Sequence, residues 1–158
     1  MPFGRKRAWL RCAAIVIGVS GASCSALTGP SGPEISVSLT VQSPSASGAA
    51  LLVTVGERDV SLRASASPSQ RSDASLERGK FGTLPVRVVL LSSSADTLAT
   101  VAFSQTFERG YTSWIGSFVS HARPLGFCTG TVVGAPLRTA PSDTLFVMYG
   151  GIPKGAIC

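Results

Sequence analysis

Histidine is the side chain that most often moves protons near neutral pH, and this chain contains a single one, His121. A Ser–His–Asp hydrolase would have to use it as the base that takes the serine proton. Serines are abundant, but the sequence contains no G-x-S-x-G motif, which holds the nucleophile of α/β hydrolases. We therefore interpret His121 as an exposed loop residue and predict no catalytic residue.

Paired carboxylates are a second possible chemistry, because two acids across a cleft can hydrolyse glycosidic bonds. The acidic residues lie mostly at predicted turns, and their spacing singles out no pair: Glu34, Glu57, Asp59, Asp73, Glu77, Asp96, Glu108 and Asp143. Glycine-rich phosphate loops, EF-hand loops and cofactor fingerprints are absent from the sequence. One histidine and no CxxC pair do not make a zinc site. The sequence predicts no metal, no cofactor and no enzymatic activity.

The first residues have the pattern of an export signal. A basic cluster (residues 5–11) precedes an apolar run (residues 13–19), and small residues follow up to Cys24. An apolar core of about a dozen residues is too short to cross roughly 30 Å of hydrocarbon as a helix. The pattern predicts a cleaved signal peptide over residues 1–23.

The segment Gly21-Ala22-Ser23-Cys24 resembles the lipobox of bacterial lipoproteins. The resemblance implies that Cys24 receives a lipid and becomes the first mature residue, so that the protein is attached to a membrane. Ser25 stands where the family's retention signal would have Asp, which implies sorting to the outer membrane, facing the periplasm or the cell surface. The alternative is ordinary cleavage nearby and a soluble periplasmic or secreted protein. Residues 25–33 are small, polar and interrupted by proline, as expected of a flexible tether.

The net charge changes when the leader is removed. Four of the fourteen basic residues and none of the eight acidic residues precede Cys24, so the formal charge falls from +6 to +2. The remaining basic residues are scattered, whereas nucleic-acid binding needs a concentrated basic surface. We expect no nucleic-acid partner.

The export prediction also determines which cysteines are available to form a disulfide. Cys12 leaves with the leader, Cys24 is used for the lipid, and Cys128 and Cys158 remain. An oxidising compartment favours a disulfide between them, which would contribute about 3–4 kcal/mol in the chain-entropy model. The alternative is two free buried thiols.

Residues 34–158 are predicted to form one all-β domain. Apolar residues alternate with polar ones over residues 34–42, 51–55, 60–66 and 97–107, and the most apolar segment is 83–91. Further strands are predicted over residues 111–120, 126–133 and 144–149, with Gly150-Gly151 releasing the chain into a tail. Residues 67–80 are predicted to be a surface loop with at most one helical turn.

About eight short strands with frequent turns favour an antiparallel β-sandwich, immunoglobulin-like or transthyretin-like, with a small β-barrel as the alternative. Trp114 is expected to face the core. The alternative is that it joins Tyr111 and Phe118 in an exposed binding platform.

The function that fits these features is that of a secreted, lipid-anchored cell-envelope protein with a non-enzymatic binding or structural domain. Its partner would be another envelope protein or a glycan. Two alternatives are a small-ligand carrier with a cavity between the sheets and a small envelope hydrolase that uses His121.

Overall fold

The computed structural model describes residues 33–156, apart from residues 66, 68, 78–79 and 126–129. Nine strands occupy this part of the chain. They are β1 (Glu34–Val41), β2 (Ala50–Val55), β3 (Arg58–Arg63), β4 (Arg71–Glu77), β5 (Gly82–Leu91), β6 (Thr97–Phe107), β7 (Tyr111–Ser120), β8 (Thr131–Pro136) and β9 (Thr144–Pro153). A short 3-10 turn, Pro44–Ala46, connects β1 to β2.

The strands form two sheets that pack face to face. One sheet has the order β4-β1-β7-β9-β8 and the other the order β3-β2-β5-β6. All strand pairs are antiparallel except β1 and β7, which run parallel. The predicted β-sandwich is confirmed, with this one parallel pair as an addition. Over the described residues neither sheet closes on itself, so the barrel alternative is wrong.

The core lies between the sheets and follows the period-two pattern of the sequence. The inward residues of β1 are all buried, as are those of β2 and β5: Ile35, Val37, Leu39 and Val41; Leu51, Val53 and Val55; Val86, Val88 and Leu90. Burying one such side chain fully stabilises the fold by about 1.5–3 kcal/mol. This alternation is why these strands were predictable.

The predicted loop over residues 67–80 is wrong over residues 71–77, where β4 pairs with β1. Only Leu76 among its inward positions is a large apolar residue, and Ser72 and Ala74 are half-buried. Arg71, Asp73 and Ser75 alternate with them and are exposed. An edge strand with only one large apolar side chain shows almost no hydrophobic alternation in its sequence, so the pattern did not predict it.

The last two strands also differ from the prediction. The strand expected over residues 126–133 is found at Thr131–Pro136, and residues 126–129 lie outside the described part. The tail expected after residue 149 is instead part of β9, because Gly150 and Gly151 pair with Trp114 and Ser113 of β7. Strand pairing outweighs the local turn preference of two glycines.

The described part of the chain contains no helix with the length and hydropathy needed to cross a bilayer. The predicted lipidation site Cys24 and the predicted disulfide between Cys128 and Cys158 lie outside the described residues.

Candidate functional site

Asp143 is a buried carboxylate at one end of the sandwich. It lies in the turn between β8 and β9, where its N–H donates to the Ala140 carbonyl and its carbonyl accepts from Leu137 N–H, each at 2.9 Å. The residue is 1% exposed. An ionised carboxylate is this deeply buried only when hydrogen bonds or opposite charges compensate it.

The compensation comes from two distant segments. Oδ2 of Asp143 accepts from the hydroxyls of Ser43 and Ser45, and Oδ1 contacts Nδ1 of His121. Ser43 caps the 3-10 turn and Pro44 is its first residue, so this turn holds both hydroxyls on one side. His121 is the first residue after β7.

The hydroxyls of Ser43 and Ser45 hold the pKa of Asp143 below its ordinary value of 3.8. Burial opposes this, and the neighbouring His121 adds to the lowering. Hydrogen bonds that stabilise the charged form are the first cause, so Asp143 is a carboxylate at neutral pH.

The cluster brings serine, histidine and aspartate together, but in an order that does not activate a nucleophile. In a hydrolytic triad the serine gives its proton to the imidazole. Here both hydroxyls donate to the carboxylate, and the His121 side chain is 68% exposed. The exposed loop histidine is confirmed. The cluster fastens the β1–β2 connection and the end of β7 to the β8–β9 turn.

Sequence reasoning missed the role of Asp143, which was grouped with the other acidic residues at turns. Ser43 lies 100 residues earlier in the chain, and no local pattern links the two. Among the described residues, no group of three or more His, Cys, Asp or Glu side chains could hold a metal ion.

Trp114 does not face the core, so that prediction is wrong. The inward residues of β7 are Ser113, Ile115, Ser117 and Val119, all buried. Alternate residues of a strand face opposite sides of the sheet, and in β7 both alternating sets contain apolar residues. The set with the larger side chains, Trp114 and Phe118, was therefore not the buried one.

The aromatic side chains on the outer face of this sheet lie over glycines. A Cβ built on Gly130 would lie 2.5 Å from Cη2 of Trp114, and one on Gly134 would lie 3.2 Å from Cδ1 of Phe146. Because the two rings come this close to the Cβ positions of neighbouring strands, they lie along the surface of the sheet and do not project away from it. Trp114 and Phe118 are half-buried, and Tyr111 is 36% exposed. These residues do not form a freely exposed platform.

Two open grooves border the connecting turns. A groove of about 430 Å³ is lined by Val55, Gly56, Glu57, Arg58, Lys80, Leu84 and Pro85, and one of about 250 Å³ by mostly hydroxyl-bearing residues that include Ser45. Neither is a cavity between the sheets, where apolar side chains form the core.

The four sheet edges differ in how they are protected from other chains. Edge strands expose unpaired backbone groups, and proteins commonly block them with charges, proline or short length. Three of the edges have such features: β3 has Arg58, Asp59 and Arg63, β4 has Arg71 and Asp73, and β8 has six residues and ends at Pro136.

The fourth edge, β6, lacks these features. It is 11 residues long, TLATVAFSQTF, with no charge and no proline. A bulge opposite Leu90 and Leu91 lies at its beginning, and from Ala99 onward its register with β5 is regular. One backbone hydrogen bond from the described residues reaches its outer side, from Arg138 N–H to the Leu98 carbonyl at 2.9 Å.

The direction of the Leu98 carbonyl shows which backbone groups point outward. N–H and C=O groups of alternate residues in a strand point to the same side. The outward groups therefore belong to the residues whose side chains are also exposed, which are Thr100, Ala102, Ser104 and Thr106. The backbone N–H and C=O groups of the odd-numbered residues from Ala99 onward point toward β5 instead.

The inward face of β6 ends in an incomplete apolar contact. The Phe103 ring stacks on the Tyr149 ring of β9, with centroids 3.8 Å apart and planes 13° apart. Phe103 nevertheless remains half-buried. Among the described residues, the edge thus combines backbone groups that have no partner strand with a partly covered aromatic side chain.

Comparison with known protein families, curated proteins and solved structures gave no match for this chain.

Proposed function

We propose that this chain is an exported, lipid-anchored envelope protein whose β-sandwich binds a protein partner by strand addition at β6. In strand addition, backbone hydrogen bonds supply affinity and alternate side chains supply specificity. The observation that carries the proposal is the difference between β6 and the other three edges. Export and anchoring rest on the sequence pattern that ends at Cys24.

The outward residues of β6 suit a protein strand better than a glycan. Thr100, Ala102, Ser104 and Thr106 are small and exposed, so an incoming backbone can come close. A sugar is usually held by an open aromatic side chain or a polar cleft. Of the two aromatic residues of β6, Phe107 is buried and the Phe103 ring already stacks on Tyr149.

The hydrolase alternative gains little from the geometry around His121. The hydroxyls of Ser43 and Ser45 are engaged by Asp143, so neither is poised to transfer a proton to the imidazole. We expect His121→Ala to leave partner binding unchanged.

Site-specific photocrosslinking in cells tests the proposal. A photoreactive benzoylphenylalanine replaces Ser104 on β6 in the full-length chain, and the matched control replaces Ser61, an exposed residue on the β3 edge. We expect protein adducts from position 104 and far fewer from position 61. Equal labelling at both positions, or no adduct at position 104, would refute binding at β6.

A further inference from the structure

We infer that the partner at β6 is a second copy of this chain, paired antiparallel about a two-fold axis at Phe103. The inference rests on the proposed function, because it names the strand that β6 accepts. Two copies paired in this way would join their four-stranded sheets into one continuous sheet of eight strands.

The register follows from which backbone groups of β6 are available. The Leu98 carbonyl is occupied by Arg138, so pairing must begin after it. With Phe103 on the axis, Thr100 lies opposite Thr106 of the second copy and Ala102 lies opposite Ser104. Each of these residues then exchanges both backbone hydrogen bonds with its opposite residue. All outward groups from Thr100 to Thr106 are satisfied, and Leu98 is left with Arg138.

The side chains in this register match on both faces. On the outer face, small residues and hydroxyls meet each other. On the inner face, the two half-buried Phe103 side chains meet at the axis, each already stacked on its own Tyr149. An aromatic pair directly across strands contributes about 0.2–1 kcal/mol relative to alanine.

The absence of charged residues from β6 favours pairing with a second copy of the same strand in particular. Antiparallel self-pairing places each residue near its own copy around the axis, so any charge near the centre would face a like charge. Like charges directly opposite each other destabilise a strand pair. None of the 11 residues of β6 is charged, whereas self-pairing of β3 about its centre would place Arg58 opposite Arg63 of the second copy.

Proline substitutions test the association with a matched control. The N–H of Ala102 points away from β5, so Ala102→Pro removes a donor that the monomer does not use. The Ala64 N–H donates to the Ala49 carbonyl, so the N–H groups of even-numbered residues in this segment point toward the β2 side. The Ser61 N–H, in the odd-numbered set, therefore points away from β2. Ser61→Pro therefore makes the same change on the β3 edge. Ala102→Lys changes the same β6 edge without removing the N–H.

The assay is the molar mass of the detergent-extracted full chain, measured by sedimentation over a range of concentrations. We expect wild type and Ser61→Pro to dimerise. Ala102→Pro and Ala102→Lys should weaken the dimer at least about tenfold, the factor that corresponds to 1.4 kcal/mol. Wild type that stays monomeric, or dimerisation that is as strong in both Ala102 variants, would overturn the inference.

Disulfide trapping tests the register. Ala102→Cys and Ser104→Cys chains, mixed and oxidised, should form a mixed dimer, because opposite Cα atoms lie about 5.5 Å apart in a hydrogen-bonded pair. Ala102→Cys alone should form no more disulfide-linked dimer than the parent chain does. The Cα atoms of residue 102 in the two copies would lie roughly 8–9 Å apart, because they are offset by two residues at 3.4 Å per residue. Trapping of Ala102→Cys alone would contradict the register.

The two proposals fail in different ways. An adduct at position 104 whose second component is a different protein would refute the second copy and keep strand addition at β6. The absence of any adduct there would refute both.

Discussion

Alanine at position 130 should strain the outer face of the five-stranded sheet. Its Cβ would lie 2.5 and 2.9 Å from Cη2 and Cζ2 of Trp114 and 3.1 Å from the Tyr149 carbonyl. The indole must therefore move by nearly 1 Å to restore an ordinary contact, while the carbonyl belongs to a paired strand and resists movement. Overpacking of this kind costs about 1–3 kcal/mol. We predict that Gly130→Ala is destabilising by that amount.

Thermal unfolding of the full chain measures the effect. At about 2–4 °C per kcal/mol for a chain of this size, Gly130→Ala should lower Tm by roughly 2–12 °C. Gly116→Ala is the matched control, because a Cβ there meets Cε2 of Phe118 and Oγ of Ser38 at 3.5 Å, an ordinary distance. That control should be neutral or slightly stabilising, since glycine weakens a strand.

A double-mutant cycle assigns the cost to the ring. In a Trp114→Leu background the indole atoms that approach residue 130 are gone, so Gly130→Ala should lose most of its effect. An equal cost in both backgrounds, or no difference between Gly130→Ala and Gly116→Ala, would refute the proposed contact.

Three further predictions concern Asp143 and the cysteines. Because the folded-state pKa of Asp143 is lowered, its contribution to stability is present above the unfolded value near 3.8 and is lost as pH falls further. Urea midpoints should therefore fall below about pH 4 in wild type, with a smaller fall in Asp143→Asn, and identical profiles would contradict this. Radioactive palmitate should label the wild-type chain but not Cys24→Ala, and an unlabelled wild type would remove the anchor. Non-reducing mass mapping should link Cys128 to Cys158, and free thiols there would remove the disulfide.

The sequence was sufficient for elements in which one face alternates clearly with the other. In β1 the apolar residues Ile35, Val37 and Leu39 alternate with serines and threonine, so strand type, buried face and approximate bounds follow together. The alternation over residues 51–55 and 60–66 was equally clear, and β2 and β3 lie there with Gly56 at a positive φ of 59° in the turn between them.

The sequence was insufficient where a contact between distant segments decides the outcome. β4 is a strand because β1 offers it a partner, although Leu76 is its only large inward residue. Trp114 lies outside because β1 and β9 fix the parity of β7. Asp143 becomes a buried anchor only when the turn at Ser43 and Ser45 reaches it.

The edge of β6 could have been protected at little cost to the monomer. Thr100, Ala102 and Ser104 are exposed and make no core contact, and lysine at such surface positions usually changes stability by less than about 0.5 kcal/mol. A single lysine would block strand addition. Anchoring through Cys24 would also raise the local concentration of copies on one membrane, so that a modest affinity between edges would be enough for pairing. The open edge and the predicted export signal therefore support the same proposal, in which a tethered sandwich would assemble through its uncharged strand.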